Sequence, residues 1–203
     1  MRKILLLLAL ALGLPLAAFA GNSVDFSNSG GTLAGTTSGL SLTGSTLIAV
    51  NGYNGGGLIT GSNLGSITFT TGALESGGSL QMGGTFAPGG TFTITGNGDN
   101  GVPNGVLFSG TFSSATWTLV TLANGTHNYT FTGALTGSLG SGYYTNGVTV
   151  QLTINTGKGY FNGSTRISSG DTTVVVPEPG SLGLLGTGLL GLAGVIRRKI
   201  NLG

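Results

Sequence analysis

The sequence has no cysteine, a single histidine and few charges: only 6% of its 203 residues are Asp, Glu, Lys or Arg. Without cysteine, the chain cannot form a disulfide, a thiolate metal site or a cysteine nucleophile. Between residues 21 and 176 there are two cations, Lys158 and Arg166, and four carboxylates, which gives a net charge of −2. Because a nucleic-acid surface needs clustered lysine and arginine to neutralise phosphates, we expect no nucleic-acid partner.

Glycine is abundant instead, at 42 residues, and it separates short segments in which apolar and hydroxyl side chains alternate. A period of two is typical of β-strands with one buried face. The dipeptides Asn51-Gly52 and Asn124-Gly125 predict tight hairpin turns. The pattern predicts strands at residues 24–26, 40–43, 46–50, 58–60, 66–71, 79–82, 91–95, 106–112, 114–122, 128–135, 148–154, 160–161 and 172–176.

Short strands that recur about every 8–12 residues indicate one all-β domain, which covers residues 21–176. We expect an antiparallel β-sandwich or a jelly-roll-like arrangement, with a barrel as the related alternative. Residues 21–39 are small and polar, so they are predicted as loop beyond a first short strand. Similar fragments at 66–74, 91–96 and 129–137 do not recur at one period, which argues against a β-solenoid.

The first twenty residues have the pattern of a secretory signal peptide. Arg2 and Lys3 form the positive start, residues 4–14 form the apolar core, and a small-x-small cleavage site follows. This site is formed by Ala18 and Ala20. Cleavage by signal peptidase is expected to leave Gly21 as the first residue of an exported protein.

The C-terminal part contains an uncharged apolar run from Gly180 to Ile196. As a helix, these residues would rise roughly 25 Å, close to the shortest helix that spans a membrane. The leucines go all the way round such a helix, whereas a soluble helix keeps one polar stripe. A single transmembrane helix over 180–196 is therefore predicted. The basic cluster Arg197, Arg198 and Lys199 follows at once and marks the cytoplasmic side.

This C-terminal pattern resembles the PEP-CTERM sorting signal of Gram-negative bacteria. The resemblance covers residues 177–203 and rests on the order of Pro177-Glu178-Pro179, the apolar run and the basic cluster. It implies processing by exosortase, a membrane protease-transpeptidase, near Pro177, Glu178 and Pro179. It also implies a protein first held in the inner membrane and then placed in the cell envelope or the extracellular biofilm and exopolysaccharide matrix. The same type of C-terminal element is also described as the C-terminal domain of ice-binding proteins.

Residues for catalysis are sparse. His127 lies beside an Asn-Gly turn, and no G-x-S-x-G elbow supplies a nucleophile for it. Glycoside hydrolysis needs two carboxylates about 5–10 Å apart. We therefore expect no enzymatic activity, no cofactor and no metal. The residues weighed against this expectation are the serines Ser109, Ser113 and Ser114 and the carboxylates Asp25, Glu75, Asp99 and Asp171.

The loop 96–104 (GNGDNGVPN) departs from the calcium-binding loop pattern. Counted from Asn97, position 5 is Gly101 and position 12 is Phe108, where that pattern requires Asp or Asn and then Glu. A simple turn is expected, and a weak calcium site through Asp99 and backbone carbonyls is the alternative.

Hydroxyl-rich strand faces suggest a binding surface. An ordered threonine ladder, as in 91–95, suits ice, or suits sugars when the tyrosines Tyr53, Tyr143 and Tyr144 supply stacking. Three triplets match the glycosylation pattern, at Asn124, Asn128 and Asn162. The sequence thus predicts an exported, non-enzymatic structural or surface protein, with a carbohydrate- or ice-binding module as the alternative.

Overall fold

The computed structural model describes residues 22–140 and 142–176, and in this part the chain is built almost entirely of β-strands. The all-β prediction is confirmed. The strands are β1 (Asn22–Ser29), β2 (Thr32–Thr36), β3 (Gly39–Asn51), β4 (Ile59–Thr71), β5 (Gly83–Phe86), β6 (Gly89–Asn97), β7 (Asn104–Thr121), β8 (His127–Leu139), β9 (Tyr144–Asn155), β10 (Ser164–Arg166) and β11 (Ser169–Val176). Two 3-10 turns, Tyr53–Gly55 and Asp99–Gly101, lie between strands.

The sheet closes on itself, because β1 is hydrogen-bonded to β11 on one side and to β3 on the other. Three pairs of segments act as single interrupted strands. β1 and β2 both pair with β3, β5 and β6 both pair with β7, and β10 continues β11 along the β1–β2 edge. Counted in this way, eight antiparallel strands follow one another in chain order around the barrel.

The expected β-sandwich or jelly-roll-like arrangement is therefore wrong, and the related barrel alternative is correct. Both architectures need the same alternation of buried and exposed side chains, so the sequence pattern does not separate them. What separates them is the pairing of the first strand with the last, a contact between residues far apart in the chain. The hydrogen bond from Ser27 Oγ to Asp171 Oδ1, 2.7 Å long, joins β1 to β11 on the outer surface.

Several strands are longer than predicted because bulges interrupt their period of two. β7 is one strand of 18 residues in which the register shifts between Phe112 and Ser114, the position where the sequence predicted two strands. The strands β2, β5 and β10 were predicted as loop or missed. Residues 79–82 and 160–161, predicted as strands, lie in loops.

Two hairpin turns repeat the pentapeptide Asn-Gly-x-Asn-Gly. In the β3–β4 turn the second asparagine is Asn54, with φ 52°, and in the β6–β7 turn it is Asn100, with φ 54°. Asparagine tolerates this left-handed conformation better than most residues with a side chain. The repeat thus explains why both turns have the same shape, and the hairpin predicted at Asn51-Gly52 is confirmed.

Both turns lie at the end of the barrel where β11 ends, which we call the tail-side rim. It comprises the loops 52–58, 98–103 and 140–143 and the adjoining strand ends, excluding Ser141. The opposite end, the far rim, comprises the loops 72–82, 122–126 and 156–163. Residues 23–175 form one compact unit.

Aromatic side chains fill the barrel interior. Phe69, Phe112 and Phe131 are mutually in contact, with ring centroids 5.1–5.7 Å apart. Gly133 makes room for this cluster, because a Cβ added there would lie 2.4 Å from the Phe112 ring. Nearer the far rim, Trp117 stacks on Tyr129 with a centroid distance of 4.8 Å.

Two far-rim loops are fastened to this second cluster by hydrogen bonds. Trp117 Nε1 donates to the carbonyl of Leu80 at 2.9 Å. The Tyr129 hydroxyl donates to the carbonyl of Gln81 at 2.7 Å and accepts from the backbone N–H of Phe161 at 3.1 Å. One buried tyrosine therefore holds the loops 72–82 and 156–163 over the end of the barrel.

Across residues 22–140 and 142–176, no helix is long and apolar enough to cross a membrane. The transmembrane helix predicted over 180–196 lies outside these residues, as do the predicted signal peptide and the basic cluster 197–199.

Candidate functional site

The outer surface of the barrel is where a binding site is to be sought. An eight-stranded barrel is about wide enough for side chains to fill its interior, and in the described residues the phenylalanines, Trp117 and Tyr129 occupy that space. Outward-facing residues alternate with these along every strand. Their identities therefore decide what the folded domain presents to other molecules.

One row of five exposed polar side chains crosses the outer surface from β5 to β11. The strand registers place its members opposite one another in the order Thr85, Thr116, Thr132, Gln151 and Asp171. Neighbours in such a row are about 4.8 Å apart. A carboxylate accepts a hydrogen bond at each end of this row. Thr85 Oγ1 donates to Glu75 Oε2 at 2.6 Å, and Ser27 Oγ donates to Asp171 Oδ1. We call this the amide row, after its glutamine.

A second row crosses β4, β6, β7, β8 and β9 nearer the tail-side rim. Its members are four hydroxyl residues and one tyrosine, in the order Thr68, Thr93, Ser109, Ser138 and Tyr144. The Tyr144 ring is 68% exposed, so its face is available for stacking. We call this the tyrosine row. It combines the two side-chain types that the sequence suggested for sugar binding.

Neither row is flat. Adjacent strands rotate by roughly 20–25°, so a row across five strands turns through about 80–100°. A curved row suits a flexible polymer that can follow the surface better than it suits a planar crystal face.

The predicted tyrosines divide between two environments. Tyr143 and Tyr144 are exposed in the β8–β9 hairpin. The Tyr53 ring instead packs edge-on against Phe26, with centroids 6.1 Å apart, and burial raises the pKa of its hydroxyl. Tyr53 therefore contributes to the packing of the tail-side rim, while the hairpin pair faces solvent.

His127 begins β8 at the far rim and is nearly buried. Its ring stacks on Tyr160 with a centroid distance of 4.1 Å, and Nδ1 is buried with no hydrogen-bond partner among the described residues. Asp99 lies at the tail-side rim, at the other end of the barrel. Ser109 and Ser113 lie within β7, where Ser113 Oγ donates to the carbonyl of Ala134. The structure thus keeps the residues weighed for a catalytic triad apart.

The four carboxylates are also distributed over the surface. Glu75 lies in a far-rim loop and Asp99 in a tail-side loop. Asp25 and Asp171 face outward on the neighbouring strands β1 and β11, and each accepts a hydrogen bond from a serine, Ser23 or Ser27. Within residues 22–140 and 142–176, no group of three or more His, Asp or Glu is placed to hold a metal ion.

The glycine-rich loop at 96–104 is organised by its own side chains. Asn97 Nδ2 donates to Asp99 Oδ2 at 2.9 Å, and the Asp99 backbone N–H donates to Asn97 Oδ1 at 3.0 Å. These bonds give the loop the character of a turn. The Asn124-Gly125 turn forms as predicted, and Asn124 and Asn162 are exposed there and in the 156–163 loop, whereas the Asn128 side-chain oxygen is buried.

Sequence reasoning missed a polar group inside the barrel. Asn28 donates through Nδ2 to Ser45 Oγ at 2.7 Å, while Asn28 Oδ1 and Thr172 Oγ1 are buried without a partner among the described residues. The only signal was an asparagine at an inward position of an alternating strand. A polar residue at one inward position interrupts the alternation of apolar and polar side chains, and such an interruption resembles the end of a strand.

The predicted sorting residues Pro177, Glu178 and Pro179, the basic cluster and the predicted signal-cleavage residues lie outside the described part of the structure. The comparison with protein families supplies the finding here: residues 175–199 match the family described as the PEP-CTERM protein-sorting motif. The chain therefore carries this motif, which implies an exported protein that exosortase processes. Searches of curated proteins and of solved structures gave no match.

Proposed function

We propose that this protein is an exosortase substrate whose β-barrel has a non-enzymatic structural or surface role outside the cytoplasm. The observation that carries the proposal is the sorting motif at 175–199, which begins at the last residues of β11. The barrel and the sorting signal are thus directly joined, so the domain travels wherever the signal is taken.

The proposed route has two processing steps. Signal peptidase cuts after Ala20, and the segment 180–196 then holds the chain in the inner membrane with Arg197, Arg198 and Lys199 on the cytoplasmic side. Exosortase acts near Pro177–Pro179 and passes the barrel to the cell envelope, or to a biofilm or exopolysaccharide matrix. A low surface charge and a hydroxyl-rich exterior are compatible with a matrix of hydrated polysaccharide.

The separation of the acid–base residues supports a non-enzymatic role. His127 and Asp99 lie at opposite rims, and the loop carboxylates Glu75 and Asp99 also lie at opposite ends of the barrel. A catalytic pair needs its groups within hydrogen-bond reach of one substrate atom. In the described residues, no two of the acid–base groups weighed for a triad meet that requirement.

Replacing Pro177, Glu178 and Pro179 together by alanine tests the route in a bacterium that encodes exosortase. The unaltered protein is expected to become shorter and to leave the inner-membrane fraction, while the variant stays full-length and membrane-bound. Pro103→Ala is the matched control, because Pro103 is an exposed loop proline outside the motif. If the triple variant keeps the size and location of the unaltered protein, the sorting proposal is wrong.

A second candidate function, polysaccharide binding, is favoured by the tyrosine row. Hydroxyl groups that lead to an exposed aromatic ring can hydrogen-bond a sugar chain and stack on one of its rings. The strand twist makes ice a poorer ligand, because the row is not planar.

The binding candidate is tested with the exported protein on a glycan array. Tyr144→Ala should weaken binding about fivefold if the ring contributes about 1 kcal/mol. Tyr160→Ala, which removes a half-exposed tyrosine from the far rim, is the matched control. Thermal hysteresis measures the ice alternative, and negative results in both assays reject a binding role.

A further inference from the structure

The tail-side rim carries a set of exposed apolar and aromatic side chains. The strands β4, β7 and β9 begin at this rim and β11 ends there, so residues at those strand ends lie around one end of the barrel. Their side chains are between 43% and 68% exposed. Met82, Val120, Leu122 and Tyr160 near the far rim are exposed to a similar degree, so it is the position of the tail-side set beside the end of β11 that matters here. The set consists of Leu58, Val106, Tyr143, Tyr144 and Val175.

Hydrogen bonds fasten the tyrosine-bearing hairpin between the neighbouring strands. On one side Thr145 Oγ1 donates to the carbonyl of Val175 at 2.8 Å, next to the end of β11. On the other side the Gly140 N–H donates to the carbonyl of Leu107 at 2.8 Å, beside Val106. Tyr143 and Tyr144 are therefore held at a fixed place, close to the residue from which the sorting segment departs.

The covalent chain limits how far this rim can be from the membrane. The apolar segment that we propose as the anchor begins at Gly180, four residues after the end of β11 at Val176. Four residues span at most about 14 Å even when fully extended. The headgroup region on each side of a bilayer is about 5–8 Å thick. An anchored barrel must therefore keep its tail-side rim at or near the headgroups.

The chemistry of the rim suits that location. Tyrosine is enriched where a membrane meets water, because its ring is apolar and its hydroxyl is hydrated. The charged residues at this rim are the carboxylates Asp25 and Asp99, whereas Lys158 lies in a far-rim loop and Arg166 in β10. Two carboxylates oppose entry into the hydrocarbon, so contact stops at the headgroup level.

We infer that the tail-side rim is a membrane-contact surface, in which Tyr143 and Tyr144 lie among lipid headgroups while the tail is attached. This inference rests on the proposed anchoring by 180–196. The contact orients the barrel with its tail-side end toward the bilayer and its far rim toward the outside. Release of the tail leaves only a few exposed side chains for lipid, so the rim alone holds the released barrel weakly.

Tryptophan quenching by brominated phosphatidylcholine tests the contact. The mature chain, residues 21–203, is incorporated into vesicles of phosphatidylcholine with and without brominated acyl chains, as Tyr144→Trp or as Tyr160→Trp. Bromine quenches only at short range, and Tyr160 lies at the far rim, roughly 30 Å from Tyr144 along the barrel. The native Trp117 is 1% exposed and gives the same background in both variants.

Vesicle flotation separates the inference from the anchoring on which it rests. Both variants should float with the vesicles, and the emission added by Tyr144→Trp should be partly quenched in brominated lipid while that of Tyr160→Trp is unchanged. If both variants float but the two tryptophans are quenched equally, or neither is quenched, the rim contact is wrong and the anchor stands. If neither variant floats, anchoring by 180–196 is wrong and the rim contact is overturned with it.

Discussion

Tyr129→Phe removes one hydroxyl and with it both hydrogen bonds that this side chain makes to the far-rim loops. The ring itself is kept, so the stack on Trp117 and the aromatic contact with Phe161 remain. The change therefore isolates the polar fastening of the loops from the packing beneath them.

The expected loss of stability follows from what each partner does without the hydroxyl. Gln81 is exposed, so its carbonyl can turn to water and the lost bond costs only about 0.5–1.5 kcal/mol. The N–H of Phe161 is buried, and a buried donor without a partner costs about 1–3 kcal/mol. The free energy of unfolding should therefore fall by about 1.5–4.5 kcal/mol, a large part of the stability of a typical domain.

The assay is guanidinium unfolding of the mature chain in detergent micelles, followed by the circular dichroism of the β-sheet. Trp117 fluorescence provides a second probe at the site, because this indole stacks on residue 129. Tyr160→Phe is the matched control, since that tyrosine is half-exposed and its hydroxyl reaches water. A Tyr129→Phe loss no larger than that of Tyr160→Phe would refute the reasoning that this hydroxyl fastens both loops.

Two further predictions concern the interior and the tail-side rim. Gly133→Ala places a Cβ against the Phe112 ring and should lower the unfolding free energy by about 1–3 kcal/mol in the same denaturation assay. Gly57→Ala, where the added atom meets open space, should change it by less than about 0.5 kcal/mol; equal effects would contradict the packing argument. Because burial raises the pKa of Tyr53, the unfolded tyrosine ionises first, so stability is intact below about pH 10 and falls as the pH rises through the folded pKa. Tyr53→Phe should lose this alkaline component in denaturation measured across pH, and parallel curves for the two proteins would contradict it.

The sequence alone predicted the all-β fold class and most of the strand positions. Segment 148–154, with apolar residues at every second position, lies within β9 as expected. The two halves of β7 were separated at Ser113 because a bulge adds one residue there and reverses the alternation. A pattern of period two has no means of distinguishing such a bulge from the end of one strand and the start of another.

The closed barrel and the alignment of its outer rows could not be predicted from the sequence, for a different reason. A row such as Thr68, Thr93, Ser109, Ser138 and Tyr144 is defined by the register of five strands, and a shift of one residue in any of them would turn its side chain inward. Register depends on long-range pairing. The individual threonines and tyrosines were recognisable, but their alignment was not.

The folded domain and the sorting motif meet at the end of β11, where strand pairing stops. Strand pairing requires a backbone N–H at alternate positions, and proline has none, so Pro177 and Pro179 cannot donate to a neighbouring strand. Thr145 meanwhile holds the carbonyl of Val175 in place at the barrel. Prolines directly after a strand therefore mark where strand pairing ends, with the barrel on one side and the proposed sorting residues on the other. A cut within residues 177–179 therefore breaks none of the described hydrogen bonds that close the barrel, which is the condition for releasing the domain in its folded form.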